Sequence, residues 1–279
     1  MERGSLGMQW LETALRKGIT VQESIYYTDY RWPELKEFAE RDTIVLLPVG
    51  QTEEHGPHLP VGCDVMIAEE TAKRVAEAAR AEMPVLVMPT MWAGYSAHAL
   101  FQWPGVISLP PEVLIATVEH IVLSLHKSGF KKVVMMNSHG HHPGILRVAA
   151  RKINDQCDSH VVVTNIWNMA NDVVCRVRES EQGGCCHACE YETSIMLDWG
   201  KRVDMSQAVD EPVKPHSCFV SGDMFGPGSK IFWSTWRFQQ SETGTYGCPT
   251  RATAEKGAEI TRETVDMYLI LLRELRAAK

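Results

Sequence analysis

The stretch TIVLLPVGQTEEHGPHLPVGCD, residues 43–64, decides the fold class. Its first eight residues form an unbroken apolar run of the length of a strand buried on both faces. The run gives way to a polar loop, and beyond it Ala68, Ala72, Val75, Ala76 and Ala79 recur at helical spacing within residues 65–80. Strand, loop and helix then repeat. Residues 84–91 (PVLVMPTM) read as a second strand, and Leu114, Val118, Ile121, Val122 and Leu125 mark one face of a helix that Gly129 can close. Residues 132–137 (KVVMMN) read as a third strand, followed by Ile145, Val148, Ala149 and Ile153 on a helix whose first turn suits Pro143. Residues 160–166 (HVVVTNI) make a fourth. Strands alternating with amphipathic helices predict an α/β fold: a mostly parallel sheet flanked by helices on both faces, with right-handed crossovers.

Residues 204–250 break the pattern. They are rich in Gly, Ser and aromatics (Phe219, Phe225, Phe232, Trp233, Trp236, Phe238, Tyr246) and read as a long excursion over the sheet. A closing helix is expected over residues 253–277, where Val265, Tyr268, Leu269, Leu272 and Leu275 sit at core-facing spacing. Residues 1–35 read as an N-terminal arm and 36–279 as one domain. A chain of 279 residues with 44% hydrophobic content can bury a full core without staples. Its formal charge of −7 gives no general attraction to phosphate backbones or anionic lipid, which speaks against nucleic acid and membrane surfaces as partners. No run approaches the roughly 20 apolar residues of a bilayer span, and the first residues carry no secretory pattern, so a cytoplasmic location is expected. The 8 cysteines of so long a chain read as reduced thiols and not as a disulfide framework.

In open parallel sheets, ligands bind outside the carboxyl ends of the strands, and here those ends are unusually polar. The first strand runs into Glu53, Glu54, His55, His58 and then Asp64; the second into Trp92, Ser96 and His98; the third into Asn137, His139, His141 and His142. Carboxylates and imidazoles converging on one crevice suit Zn²⁺, Mn²⁺ or Fe²⁺. Each residue alone also has a plainer reading. Asp64, just ahead of a helix, reads as an N-cap; Glu53 or Glu54 as a solvated loop charge; His58 as a brace between prolines; His139 as a turn histidine. A further cluster, Cys185-Cys186-His187-Ala188-Cys189 leading to Glu192, reads either as a thiol pair around Cys186 and Cys189 or as His187 and Glu192 surrounded by small fillers. The second is favoured, because no other cysteine pair lies at a zinc-knuckle spacing.

Together these motifs resemble the creatininase (creatinine amidohydrolase) family. The resemblance is carried by LLPVGQTEEHGPHLPVGCD (46–64), WPGVISL (103–109), NSHGHH (137–142), HACEYETS (187–194) and YGCPTRATAEKG (246–257), and spans residues 42–257. It implies an α/β fold, two divalent metal ions per chain, a small-molecule substrate and a homo-oligomer, commonly a hexamer. By motif it implies Glu53, His55, Asp64 and His139 as metal ligands, with Asp64 bridging. Glu192 falls where a further ligand or a carboxylate beside the metal water is expected, and His187 where a proton carrier is. His141 stands where creatininase has a metal-binding glutamate and many relatives a glycine, which leaves it an open candidate ligand. Cys189 replaces a usual glycine. Gly183 replaces a substrate-contacting tryptophan, which argues against creatinine itself.

The chemistry so implied is attack by a water that the metals acidify, with His187 passing a proton to the leaving group. Ser96, His98 and His58 are then candidates for holding polar substrate atoms. The most direct reading is hydrolysis of a small polar, cyclic substrate at a non-peptide C–N amide bond. Formamides, peptide trimming and the C–C opening of an oxidised cyclitol are the alternatives that other branches of the family imply. Two readings of other classes stand beside it: a scaffold without catalysis, and a thiol-dependent protein using Cys186 and Cys189.

Overall fold

The computed structural model describes residues 23–226, 228–234 and 241–279. Four strands form a parallel sheet: β1 (Ile44–Val49), β2 (Val85–Val87), β3 (Lys132–Asn137) and β4 (His160–Asn165), in the order β2-β1-β3-β4. The expected α/β class is therefore observed. All six residues of β1 and of β3 are buried, which is why both read as continuous apolar runs.

Alternate residues of these strands feed two separate cores. Ile44, Leu46, Val134 and Met136 face one side, against α2 (Cys63–Ala79) and a long closing helix. Val45, Leu47, Val49, Val133 and Met135 face the other, against α1 (Trp32–Glu40), α3 (Pro111–Lys127) and α4 (Pro143–Asn154). Prolines at the starts of α3 and α4 occupy first-turn positions, where their missing N–H is no loss. Two short helices, α5 (Ile166–Met169) and α6 (Asn171–Val177), follow β4. A small antiparallel pair, β5 (Cys185–His187) and β6 (Tyr246–Gly247), brackets α7 (Glu190–Asp198). The closing helix α8 (Ala254–Ala277) is capped by Thr253, whose side chain accepts the Lys256 N–H.

Several expected boundaries move. The second strand pairs only over three residues, after which the chain leaves the ladder and returns as a single bridge between Met91 and Val49. Helix α2 starts two residues early, so Asp64 lies in its first turn and Gly62 is the N-cap. Of the arm expected over residues 1–35, residues 1–22 lie outside the described part. The remainder packs: Ile25 is buried and its carbonyl accepts the Val87 N–H at 2.7 Å. The excursion over residues 204–250 is irregular as expected, apart from β6 and two 3-10 turns; Trp236 and Phe238 of its aromatic set lie outside the described residues.

Register decides where the site forms. Val49, Asn137 and Asn165 are paired at the carboxyl ends of β1, β3 and β4, so the loops that follow these strands emerge at one edge.

Candidate metal centre

The loop after β1 is closed by the Glu53 N–H donating to Val61 O at 3.0 Å, and it runs tightly against the start of α2. A Cβ on Gly50 would stand 2.6 Å from Val65 Cα, so only glycine permits this approach, which brings Asp64 beside Glu53 and His55. From β3, the Asn137 amide shapes the next loop: its Oδ1 accepts the His139 N–H at 3.1 Å and its Nδ2 donates to His139 O at 2.9 Å. From the third direction, Ala188 turns at φ 50 between β5 and α7, setting His187 and Glu192 on the same cluster.

The six side chains meet out of reach of bulk water. Asp64 lies at the centre with its two oxygens divided, Oδ1 at 3.4 Å from His55 Nε2 and Oδ2 at 2.9 Å from His139 Nδ1. Glu53 Oε1 stands 3.2 Å from His139 Nδ1 and 3.5 Å from His187 Nδ1; Glu192 Oε1 stands 4.0 Å from His55 Nε2. Three overlapping groups have ligand atoms within 4.8 Å of one another: Glu53/His139/His141, Glu53/His55/His187 and His55/Asp64/Glu192.

The outward atoms are already occupied. Ser96 Oγ donates to Glu53 Oε2 at 2.5 Å and itself receives Gln51 Nε2 at 2.7 Å. His139 Nε2 donates to Tyr95 O at 3.1 Å, and His187 Nε2 to Glu54 O at 2.8 Å. Glu192 Oε2 accepts the Cys189 N–H at 3.1 Å and lies 3.5 Å from the Cys189 thiol. What remains turned inward is a set of imidazole nitrogens and carboxylate oxygens.

That set fits divalent cations on its own chemistry. Three buried carboxylates find only imidazoles as ionic partners among the described residues, and Glu53 Oε1 and His55 Nε2 are buried without a hydrogen bond. So many desolvated charges call for cations between them. The titration behaviour reports the same demand. Burial would depress His139, yet Glu53 and Asp64 carry it up to about 10; burial would raise Glu53, yet His139, His187 and His55 hold it below the carboxylate range. Burial keeps Glu192 above its usual value.

Of the residues singled out in the sequence, Glu53, His55, Asp64, His139, His187 and Glu192 converge, and His141 lies beside them. The plainer readings of Asp64 as a cap and of Glu53 as a solvated charge do not hold, since both side chains are buried and Asp64 makes no cap bond. Ser96 is buried with its hydroxyl given to Glu53. His58 is buried, bonded through Nε2 to Thr193 Oγ1 at 3.0 Å, and burial with the nearby His55 and His187 depresses it to about 4. His98 is exposed on a 3-10 helix, its ring 5.9 Å from that of Phe101. Burial pushes the Cys186 and Cys189 thiols up, away from the thiolate form a nucleophile needs.

Two contributors escaped the sequence. Glu54 is buried, with Oε1 3.2 Å from His187 Nε2 and Oε2 accepting the Gly56 N–H at 3.0 Å. Its room comes from Gly244, at φ +87, where a Cβ would stand 2.1 Å from Glu54 Oε2. Gln51 holds Ser96 and, through Oε1, the Gly94 N–H at 2.7 Å. Neither has a local signal; only the pairing with distant glycines and serines reveals them.

Comparison with known proteins places this architecture. Residues 28–272 match the family described as "Creatininase: Creatinine amidohydrolase". The creatinine amidohydrolase of Pseudomonas putida is 29% identical over 208 residues, 69% of this chain and 78% of that protein. The 3-dehydro-scyllo-inosose hydrolase of Thermotoga maritima is 25% identical over 267 residues, 90% of this chain and 83% of that protein. A solved creatininase in a manganese form superposes with a TM-score of 0.76 at 27% identity, covering 90% of this chain and 98% of that one. No helix among the described residues is long and apolar enough to cross a membrane.

Proposed function

The chain belongs to the creatininase family and is a hydrolase, and from that premise we propose that it cleaves a small polar, cyclic substrate at a non-peptide C–N amide bond with two divalent ions. Glu53, His55, Asp64, His139 and Glu192 would hold the ions. The observation that carries this reading is the divided carboxylate of Asp64, one oxygen toward His55 and the other toward His139, so that it would offer one oxygen to each side of the cluster. The manganese form of the related creatininase supports the choice of a divalent ion for this donor set.

When bound, such ions polarise a carbonyl and bring the pKa of water from about 15.7 toward about 7. The protein's own residues do the rest. Ser96 holds Glu53 by its outer oxygen, and the Cys189 N–H does the same for Glu192. His187, donating through Nε2 to Glu54 O, keeps Nδ1 turned to the cluster, where it takes a proton and passes it to the leaving nitrogen. Glu54 steadies the protonated ring through its Oε1. His98, two residues beyond Ser96, is assigned to orient polar substrate atoms.

Creatinine itself is disfavoured. Gly183 stands at φ +92 with a Cβ position 2.1 Å from Val213 O, so no side chain can project from it. A second reading, C–C opening of an oxidised cyclitol by the same centre, is favoured by the length of the match to the inosose hydrolase, 90% of this chain. A non-catalytic scaffold has no use for three buried carboxylates without fixed counter-charges. Assembly into a homo-oligomer, hexameric as in creatininase-like enzymes, belongs to the same proposal and is read by light scattering.

The test is elemental mass spectrometry on protein purified without chelator or His tag, followed by assays with cyclic amides, formamides and keto-cyclitols. About two divalent ions per chain, with turnover on one of these classes, is the expected result. No metal after reconstitution overturns the reading.

A further inference from the structure

Four consecutive backbone N–H groups beyond β2 are each met by a side chain. Gly94 donates to Gln51 Oε1 at 2.7 Å, Tyr95 to His142 Nε2 at 3.1 Å, Ser96 to Ser108 Oγ at 2.9 Å and Ala97 to His141 Nδ1 at 3.3 Å. A backbone amide can only donate, so the ring nitrogen that receives it must present a lone pair. This assigns both rings. In His142 the acceptor is Nε2, and Nδ1, 3.2 Å from Asn137 Oδ1, carries the hydrogen. That Asn137 oxygen is an acceptor beyond doubt, because it also takes the His139 N–H while Nδ2 donates to His139 O and Asn165 Oδ1. In His141 the acceptor is Nδ1, which places the hydrogen of the neutral ring on Nε2.

The consequence concerns metal binding. His141 stands within reach of the ligand atoms of Glu53 and His139, so proximity alone would count it as a ligand. Its Nδ1 lone pair receives the Ala97 N–H and also faces His139 Nε2 at 3.2 Å, whose hydrogen points to Tyr95 O, and a nitrogen bearing hydrogen has none to give. Both nitrogens of His142 are likewise engaged. Yet the segment these two rings hold makes two decisive contacts: Tyr95 O receives His139 Nε2–H at 3.1 Å, and Ser96 Oγ donates to Glu53 Oε2 at 2.5 Å. Each contact satisfies the outer atom of a ligand and leaves the inner one for the cation. The fit is close, since a Cβ on Gly94 would stand 2.3 Å from His142 Nε2.

We propose that His141 and His142 are positioning residues and not metal ligands: paired imidazole acceptors that grip residues 95–97 and thereby orient His139 and Glu53. This rests on the metal-centre reading above and replaces its open candidate, His141, with a role in the supporting shell.

The test compares wild type with His141→Asn and His142→Gln, whose amide oxygens can take the same N–H groups, and with His141→Leu and His142→Leu, which cannot. The readouts are zinc stoichiometry by elemental mass spectrometry, zinc affinity by chelator competition, and the visible spectrum of the Co²⁺ form. The Asn and Gln variants should bind two ions with an unchanged cobalt spectrum. The Leu variants should reach two ions at saturation with affinity weaker by about 10–100-fold, the usual effect of losing an outer-shell partner. Two ions in wild type but one in His141→Asn, or a cobalt band shifted by loss of a nitrogen donor, overturns the clamp alone. So do Leu variants that bind as tightly as wild type. No metal in wild type overturns the metal centre and the clamp with it.

Discussion

Glu190 opens α7 two residues before Glu192, and its carboxylate is the anchor of the segment that delivers both His187 and Glu192. Oε1 accepts the Glu179 N–H at 2.9 Å and Lys256 Nζ at 2.7 Å; Oε2 accepts the Ser180 N–H at 2.9 Å. The side chain is 3% exposed and that of Lys256 11%. Glu190→Ala therefore leaves two backbone donors without their acceptor and takes one partner from the Lys256 ammonium, which keeps Arg251 O at 2.7 Å and the exposed Glu179 carboxylate at 3.1 Å. Stranding buried donors costs about 1–3 kcal/mol apiece, so the two backbone groups together cost about 2–6 kcal/mol, and at roughly 2–4 °C per kcal/mol for a large domain Tm should fall by on the order of 10 °C. Urea denaturation measures the change. Lys256→Met breaks the same ion pair from its other side, so the double variant should cost less than the sum of the singles by about 0.5–3 kcal/mol. The pH dependence has a definite sign. Burial raises the Glu190 carboxyl, but Lys256, Ser180 and Glu179 outweigh it and its folded pKa lies below the ordinary value. The stabilisation is therefore complete above about pH 4.3, the unfolded value, and is lost as pH falls through the folded pKa. Glu190→Gln should lack that part of the acid limb. A cost under about 1 kcal/mol for Glu190→Ala, or strict additivity with Lys256→Met, would refute the reasoning.

Asp64→Ala and His139→Ala should each abolish turnover and lower metal content, whereas His187→Ala should keep both ions and lose turnover; elemental analysis beside activity separates the two, and full metal retention in Asp64→Ala would contradict the ligand assignment. Gly257→Ala should destabilise by about 1–3 kcal/mol, because its Cβ would stand 2.1 Å from Ser194 O where α8 crosses α7; an unchanged urea midpoint would show that the helices can part freely. Zinc loading of the metal-free protein at pH 8 should release protons from His139, held near 10 by Glu53 and Asp64 against burial, and from His55, which Cys63 and Asp64 raise against burial. Apparent affinity should then rise with pH by at least about tenfold per unit, because protons and cations compete for the same ring nitrogens. Calorimetry in buffers of different ionisation enthalpy counts the protons, and a pH-independent affinity would refute it.

The four strands and the helices between them were legible because burial on both faces of a parallel strand leaves an unbroken apolar run, and burial on one face of a helix leaves a 3.6-residue period. The sequence was less informative where pairing stops for geometric reasons, as at Val87, or where a helix begins on a residue without a cap signal, as at Cys63. At the site, the polar residues after each strand were legible as candidates because the carboxyl edge of a parallel sheet gathers them. Their roles were not equally so. Glu54 read as an ordinary loop charge, Ser96 and His58 as free to meet substrate, and His141 as an open ligand.

What the sequence by itself determined is thus the α/β class, the edge of the sheet at which chemistry occurs, and the carboxylate and imidazole types present there. These follow from local periodicity and from residue chemistry. The tertiary structure alone decided which atom of each side chain faces inward. Ring nitrogens and carboxylate oxygens are chosen by hydrogen bonds from other loops: Tyr95 O for His139, Ser96 Oγ for Glu53, Ala97 N–H for His141 and Glu54 O for His187. Those partners lie more than forty residues away in the chain, and only the parallel register that aligns Val49, Asn137 and Asn165 brings the loops into reach.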